Sequence, residues 1–443
     1  MPNFSKQITN VSSLQFFQLF RFGILFLVSI CFAKSHLSTT EIGIYEKLIF
    51  LSGAISFFWV NGLIQSLLPL YNNNKSFRNS AKSPLLFNTL IISVAFSIII
   101  AIILLITEKN SSSFLISASE IPYKWLFIIF FILSTPAFLL EYVYLLLKKP
   151  YSIIYYSVLT FSLQFFAVVI PIWSGFGIGE SLYGLISVSA LRLIWLVVLV
   201  LKNSKPTISF LFIKEHLTLA LPLIAGALIS GSMPYIDGII VSSHFDNATF
   251  AIYRYGAREL PLAMLLANAF SNAMIPEISE NNNINNVLLH LKEKSKRLMH
   301  FLFPLSIILI IISRWLYPVI FNPAFIDGAG VFNVFLLLVI TRLVFPQTIL
   351  LGFKKTRILL GVSIIEFFIK LVFSIWLAIP FGIVGVALGT FIAFTAERII
   401  LIVINYKYLK IKPAQYINLK WLAFYTSIII IVYFFIERNF YGF

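Results

Sequence analysis

Four polar residues at helical spacing, Arg254, Arg258, Asn268 and Asn272, carry the strongest chemical signal in this 443-residue chain. At about 100° per residue they fall within about 80° of one another, one polar stripe on an otherwise apolar segment. The two guanidinium groups would stand about 6 Å apart along the axis, by the 1.5 Å rise. They repel each other unless an anion visits, and a bidentate fork suits phosphate groups. The amides add capacity for hydroxyl groups. A second pair of amides four residues apart, Asn61 and Gln65, occupies the matching place about 207 residues earlier. With Arg21 and Arg342 these six form the expected substrate-binding set. Asp237, Glu141, Glu366 and Lys370 form a second set, the candidates for ion coupling, because an ionisable group inside a membrane span is a candidate ion or proton site. Glu366 and Lys370 stand four apart on one helix face and are expected to pair locally. Asp237 is expected within reach of Arg254 or Arg258.

The elements that hold these residues are read from hydropathy. The chain is 59% hydrophobic and 11% charged, with mean hydropathy +0.95, far from a soluble domain with about 25% charged residues. Apolar runs long enough to span about 30 Å of hydrocarbon recur. They fall near 14–35, 47–70, 84–107, 123–147, 150–173, 181–201, 215–243, 250–276, 298–321, 328–352, 356–380, 382–408 and 421–437. Displaced by roughly 206 residues, the chain matches itself. Lys148-Lys149 answers Lys354-Lys355, Phe176-Gly177 answers Phe381-Gly382, and Ile44-Tyr45 answers Ile252-Tyr253. The reading is an all-α integral membrane protein of two six-helix repeats, 1–205 and 206–412, with an extra C-terminal transmembrane helix in 413–443. Pro261 is expected to bend the eighth helix. Gly226, Gly231 and Pro234 are expected to interrupt the seventh, with Gly23 at the matching place in the first.

The formal net charge of +16 is concentrated in alternate loops, including Lys75, Arg78 and Lys82, then Lys202, Lys205 and Lys214, then Lys292, Lys294, Lys296 and Arg297. That asymmetry is a topology signal with a cytoplasmic N-terminus. It leaves nucleic acid out as a partner. The stretch from Glu277 to Arg297 reads as a cytoplasmic surface helix. Arg192 and Arg398 are read as cations that snorkel toward the cytoplasm. Cys31 stands alone, so no internal disulfide is expected. No glycine loop with Lys-Ser/Thr for a nucleotide is present, and the five histidines lie near predicted span ends. No catalytic residue, metal site or cofactor is therefore expected. Energy is left to a sodium or proton gradient, the membrane potential or removal of product.

Ala33-Lys34 through Leu37, Glu41-Ile-Gly-Ile-Tyr45, Gly62-Leu63 and Leu67-Leu-Pro69-Leu-Tyr71 resemble the first two helices of bacterial polysaccharide-unit (O-antigen type) flippases. That family sits in the multidrug/oligosaccharidyl-lipid/polysaccharide flippase superfamily. Leu221-Pro222 and Asp237 ahead of Ile252-Tyr253 resemble its seventh and eighth helices, although Gly238 stands where many members carry arginine. The resemblance implies a V-shaped bundle of two lobes in the bacterial inner (cytoplasmic) membrane, with helices one, two, seven and eight lining a central cavity. It implies transport of a polyprenyl-pyrophosphate-linked oligosaccharide, an O-antigen or capsular repeat unit, between leaflets for lipopolysaccharide or capsule biosynthesis. Membrane lipid and the polysaccharide polymerase and chain-length proteins are the implied partners. A cationic cavity fits this anionic cargo. The alternative, a multidrug efflux antiporter of the same superfamily, would favour carboxylates.

Overall fold

The computed structural model describes residues 9–73, 83–107, 123–258, 261–280 and 283–441. In hydrocarbon every backbone N–H and C=O must be satisfied within the chain, and a helix does this locally. The described residues accordingly form helices and turns with no strand. Among the described residues eleven helices are long and apolar enough to cross a bilayer. One of them, Thr356–Tyr408, has 53 residues, a length of about 80 Å at 1.5 Å per residue. It turns sharply at Gly382 (φ 55°, ψ −137°), so its two arms are each of crossing length.

The chain forms two compact units, Met1–Ser232 and Met233–Phe443. The first holds α1 (Asn10–Ala33), α2 (Thr39–Asn73), α3 (Leu85–Thr107), α4 (Lys124–Ala137), α5 (Leu140–Leu146), α6 (Pro150–Trp173), α7 (Ile178–Asn203) and α8 (Phe210–Ser230). Here α1 packs along α6, α2 along α8, and α7 against both α4 and α6. The second holds α9 (Met233–His244), α10 (Asn247–Gly256), α11 (Pro261–Glu280), α12 (Ile284–Ile320), a 3-10 turn (Pro323–Phe325), α13 (Ile326–Leu337), α14 (Val339–Arg342), α15 (Pro346–Gly352), α16 (Thr356–Tyr408), α17 (Pro413–Tyr416) and α18 (Leu419–Tyr441). Here α9 and α13 pack on α16, and α18 packs along α12.

The internal duplication is visible in the backbone. Lys148 (φ 55°) and Lys354 (φ 57°) hold the same left-handed conformation. In each, two hydrogen bonds close a helix C-terminus: Lys149 N–H to the Tyr144 carbonyl (3.0 Å) and Lys148 N–H to Leu145 in one, Lys355 N–H to Leu350 (2.9 Å) and Lys354 N–H to Leu351 in the other. This is the Schellman pattern, with lysine where glycine is usual. The helix pair that follows is closed by a glycine in each unit. A Cβ at Gly184 would collide with the Ala167 carbonyl oxygen, and one at Gly389 would collide with Ser374. Small residues allow this close approach of helices.

The breaks differ from expectation in several places. The seventh segment is interrupted at Gly231–Ser232, between α8 and α9, while Gly226 stays helical. Gly23 lies inside the continuous α1, so the first helix has no matching break. The expected boundary at 205/206 marks where the sequence repeats; compact packing divides the chain later. The reason is that α8 is tied to α2. The buried His216 ring reaches the Leu63 carbonyl at 3.0 Å, and a Cβ at Gly62 would collide with Ile224. His216, in the second turn of α8, is therefore a buried contact between α8 and α2. The eighth segment is not one bent helix. It ends at Gly256 and resumes at Pro261, which starts α11, a position suited to proline's missing N–H and fixed φ. The expected surface helix from Glu277 to Arg297 is divided between the end of α11 and the first part of the 37-residue α12. His290 Nδ1 (2.8 Å) and Lys294 Nζ (3.8 Å) meet Glu277 at the end of α11. Lys292 Nζ donates to the Ala414 carbonyl at 2.7 Å.

Candidate functional site

The predicted stripe divides at the break. Asp246 caps α10, its Oδ1 accepting the Thr249 N–H at 2.7 Å, and these hydrogen bonds hold its carboxyl below the ordinary aspartate range. Arg254 stands in the last turn of α10, where a cation complements the exposed helix carbonyls. Arg258 lies beyond the helix end, half-buried, its guanidinium 5.0 Å from the centroid of the Tyr255 ring. Tyr255 is stacked on Phe325 (4.6 Å) and packed on Phe321 (4.9 Å), so the platform under Arg258 is rigid. Asn268 and Asn272 sit on α11, both exposed. Their register with the arginines is not that of a single helix. In the first unit Asn61 and Gln65 are likewise exposed on α2, beside the Gly62 contact.

A buried polar cluster fills the middle of the first unit. Arg192 Nη2 donates to Gln164 Oε1 (2.8 Å) and to the Thr160 carbonyl (3.2 Å), and its guanidinium carbon lies 4.5 Å from the Phe161 ring centroid. Arg192 is thus bound inside the bundle instead of snorkelling. Arg21 lies over Phe138 at 5.5 Å. These arginines line a cavity of about 100 Å³ with Glu141, Gln164, Ser52, Ser134 and Ser189. Glu46, buried about two turns into α2, accepts from Ser29 Oγ at 3.4 Å. The sequence reading began its second span one residue too late to include it.

The second unit has a cluster at the corresponding depth of its fold. Lys370 Nζ is 3.1 Å from Asp237 Oδ2, both residues buried, and donates to the Met233 carbonyl at 2.7 Å. Thr390 Oγ1 donates to the same Asp237 oxygen. Two expectations are corrected here. Lys370 does not pair with Glu366 on its own helix, and the cation beside Asp237 is Lys370, not Arg254 or Arg258. Burial explains the choice: a buried carboxylate requires a close cation, and Lys370 on α16 is held against α9. Farther along α16, Arg398 Nη1 meets Glu397 (3.1 Å) and Gln347 Oε1 (2.8 Å), and Nε donates to the Thr341 carbonyl (3.1 Å). Thr341 lies next to the break between α14 and α15, where its carbonyl also accepts the Val344 N–H at 3.4 Å, so Arg398 adds a side-chain donor at the helix end. Arg398 is 8% exposed and does not snorkel. Arg342 lies 4.9 Å from the Phe394 ring, and Glu366 is buried among these charges. Of the twelve expected site residues, the structure therefore gathers Arg21 with Glu141, and Asp237, Lys370, Glu366 and Arg342 around α16.

One buried group escaped sequence reading altogether. Arg314 on α12 pairs with Glu437 on α18, and Asn333 Nδ2 donates to the other Glu437 oxygen at 2.6 Å. This pair fixes the last helix to the second unit. Among the described residues no group of three or more metal-ligating side chains converges.

A family model described as lipid II flippase MurJ matches residues 11–441. No curated protein matches the sequence significantly. Among solved structures, "Lipid II flippase MurJ, inward closed conformation" superposes with TM-score 0.67 at 16% identity, covering 97% of this chain and 99% of that one. An inward-facing multidrug resistance transporter of the MATE family and MOP superfamily gives TM-score 0.56 at 14% identity (93% and 98% covered). The Vibrio cholerae MATE transporter VcmN, solved as a point mutant, gives 0.53 at 14% identity (90% and 97% covered). At these identities the structural likenesses speak for the fold alone.

Proposed function

Because the chain belongs to the lipid II flippase MurJ family, whose members are multi-pass inner-membrane flippases and not enzymes, we propose that its cargo is a polyprenyl-diphosphate-linked saccharide of the lipid II kind. It carries that cargo from the inner to the outer leaflet of the cytoplasmic membrane. The observation that supports the diphosphate is the break between α10 and α11. There Arg254 ends a helix and Arg258 lies on a fixed aromatic platform, and arginine is the side chain that recognises phosphate oxygens through paired hydrogen bonds. A saccharide head cannot cross hydrocarbon alone, since each unpaired hydroxyl costs at least roughly 1–3 kcal/mol. The exposed amides Asn61, Gln65, Asn268 and Asn272 are of the type that replaces its water.

The motifs between Ala33 and Tyr71 favour a second cargo, the repeat unit of a surface polysaccharide, which would bring a polymerase and chain-length proteins as partners. One experiment separates them. The full chain is expressed in cells depleted of their lipid II flippase and, in parallel, in cells lacking an O-antigen flippase. The outer-leaflet precursor is then measured in spheroplasts with an enzyme that cannot cross the membrane. Rescue of the first strain alone supports the lipid II reading. Rescue of the second alone replaces it with the polysaccharide unit, and rescue of neither overturns both.

A further inference from the structure

Glu141 opens α5 in the centre of the first unit, 6% exposed. It lines the same cavity as Arg21, Ser52, Gln164 and Arg192, with room for a few water molecules. Among the described residues no cation pairs with it. Arg192 is committed to Gln164 and Thr160, Arg21 lies over Phe138, and both act on the carboxylate only at longer range. The titratable groups around it are Arg21 on α1, Tyr142 on α5, Tyr156 on α6 and Arg192 on α7, and beyond Arg192 lie Tyr45 and Glu46 on α2. α4 contributes neutral Ser134 to the lining. A buried carboxyl in a wet cavity without an ion pair is stable either ionised and hydrated or carrying a proton.

The duplication adds an independent observation. The displacement that takes Lys148 to Lys354 takes Arg192 to Arg398, Gln164 to Lys370 and Glu141 to Gln347. Gln347 Oε1 accepts from Arg398 at 2.8 Å. Glutamine has the shape of a protonated glutamate. The same fold therefore holds a permanently neutral side chain at this position in one unit and an ionisable one in the other.

We propose that Glu141 is a proton-binding site, taking its proton from hydronium in the cavity and returning it to water. Ionised Glu141 offsets one of the two positive charges that Arg21 and Arg192 bring to the cavity. Protonation of Glu141 removes that offset, so an anion at Arg21 binds more tightly, and by linkage that anion draws a proton in. The coupling rests on the diphosphate reading above; the protonation does not.

The test uses the full chain in lipid nanodiscs. Infrared difference spectra between high and low pH should contain a protonated-carboxyl band that disappears in Glu141→Gln and persists in Glu397→Gln. A spectrum unchanged in Glu141→Gln overturns the site. If that variant does not fold, Glu141→Asp gives the second readout: its band should titrate at a shifted midpoint, and an unshifted one overturns the proposal. Inorganic sulfate, whose charge is constant near neutrality, then probes the coupling. Its affinity in the wild type should rise as pH falls, by at most about tenfold per unit for one linked proton. An equal rise in Glu141→Gln overturns the coupling. Neither measurement depends on which glycan is carried.

Discussion

Lys370 and Asp237, on helices that begin the second unit and run through it, meet at 3.1 Å with both side chains buried. Asp237, one of the ion-coupling candidates, thus has a tethered ammonium as its cation. Removing one partner of such a pair costs about 3–5 kcal/mol, because the other charge is left buried. Lys370→Met should therefore lower the thermal midpoint of the detergent-purified protein strongly, and Lys370→Met with Asp237→Asn should recover most of the loss. The same geometry predicts that exchanging sodium for potassium leaves wild-type transport unchanged. A sodium requirement in the wild type that disappears in Asp237→Asn would place the coupling ion at this carboxylate.

Arg254→Ala or Arg258→Ala should each abolish delivery of lipid-linked precursor to the outer leaflet. Arginine to lysine should retain a part, reduced about tenfold or more, since a charge-assisted hydrogen bond is worth about 1.5–3 kcal/mol and the fork is lost. Thermal midpoints within a few degrees of wild type must accompany the result. Full complementation by the double alanine variant would remove both arginines from the cargo path.

The junction between α8 and α9 separates two glycines by their surroundings. A Cβ at Gly231 would lie 2.7 Å from the Ala227 carbonyl and 2.8 Å from the Phe57 ring, whereas Gly226 has open space. Gly231→Leu should reduce transport while Gly226→Ala leaves it intact at equal membrane abundance. Equal activity of the two would show that the break tolerates bulk and does no positional work.

The last helix is held by one buried charge. Glu437→Ala leaves Arg314 and Asn333 without their acceptor, and the expected loss is again about 3–5 kcal/mol. Protease added to the purified protein should then cleave near Pro413 faster than in wild type. Glu437→Gln, which keeps the bond to Asn333, should fall between the two. Cleavage at the wild-type rate in Glu437→Ala would mean the aromatic packing of Tyr425 on Phe303, at 5.1 Å, is sufficient by itself.

The spans and the repeat were legible because hydrocarbon imposes length and apolarity on each helix separately. The interruptions were less so. Gly256 and Pro261 together spell a helix end followed by a helix start, whereas the proline alone reads as a bend. Partner choice was illegible for a different reason. Lys370 has Glu366 one turn away in sequence, yet its position against α9 is a tertiary fact that no local spacing encodes. The correspondence of Glu141 with Gln347 lay open in the sequence, but it carried meaning only once the cavity and the Arg398 hydrogen bond were known.

The Lys370–Asp237 contact also sets a problem of timing during synthesis. Asp237 leaves the ribosome ~130 residues before its partner, which at ~5–20 residues per second is on the order of ten seconds. Glu437 follows Arg314 by a similar interval. Through that interval a charge that the finished bundle neutralises has no counter-ion of its own in the chain. An unpaired charge is costly in lipid, so the geometry predicts that the nascent second unit is held in a hydrated setting until α16 and α18 arrive. Slowing elongation just after Asp237 should increase degradation of the nascent protein, and it should do so less in a chain carrying Asp237→Asn.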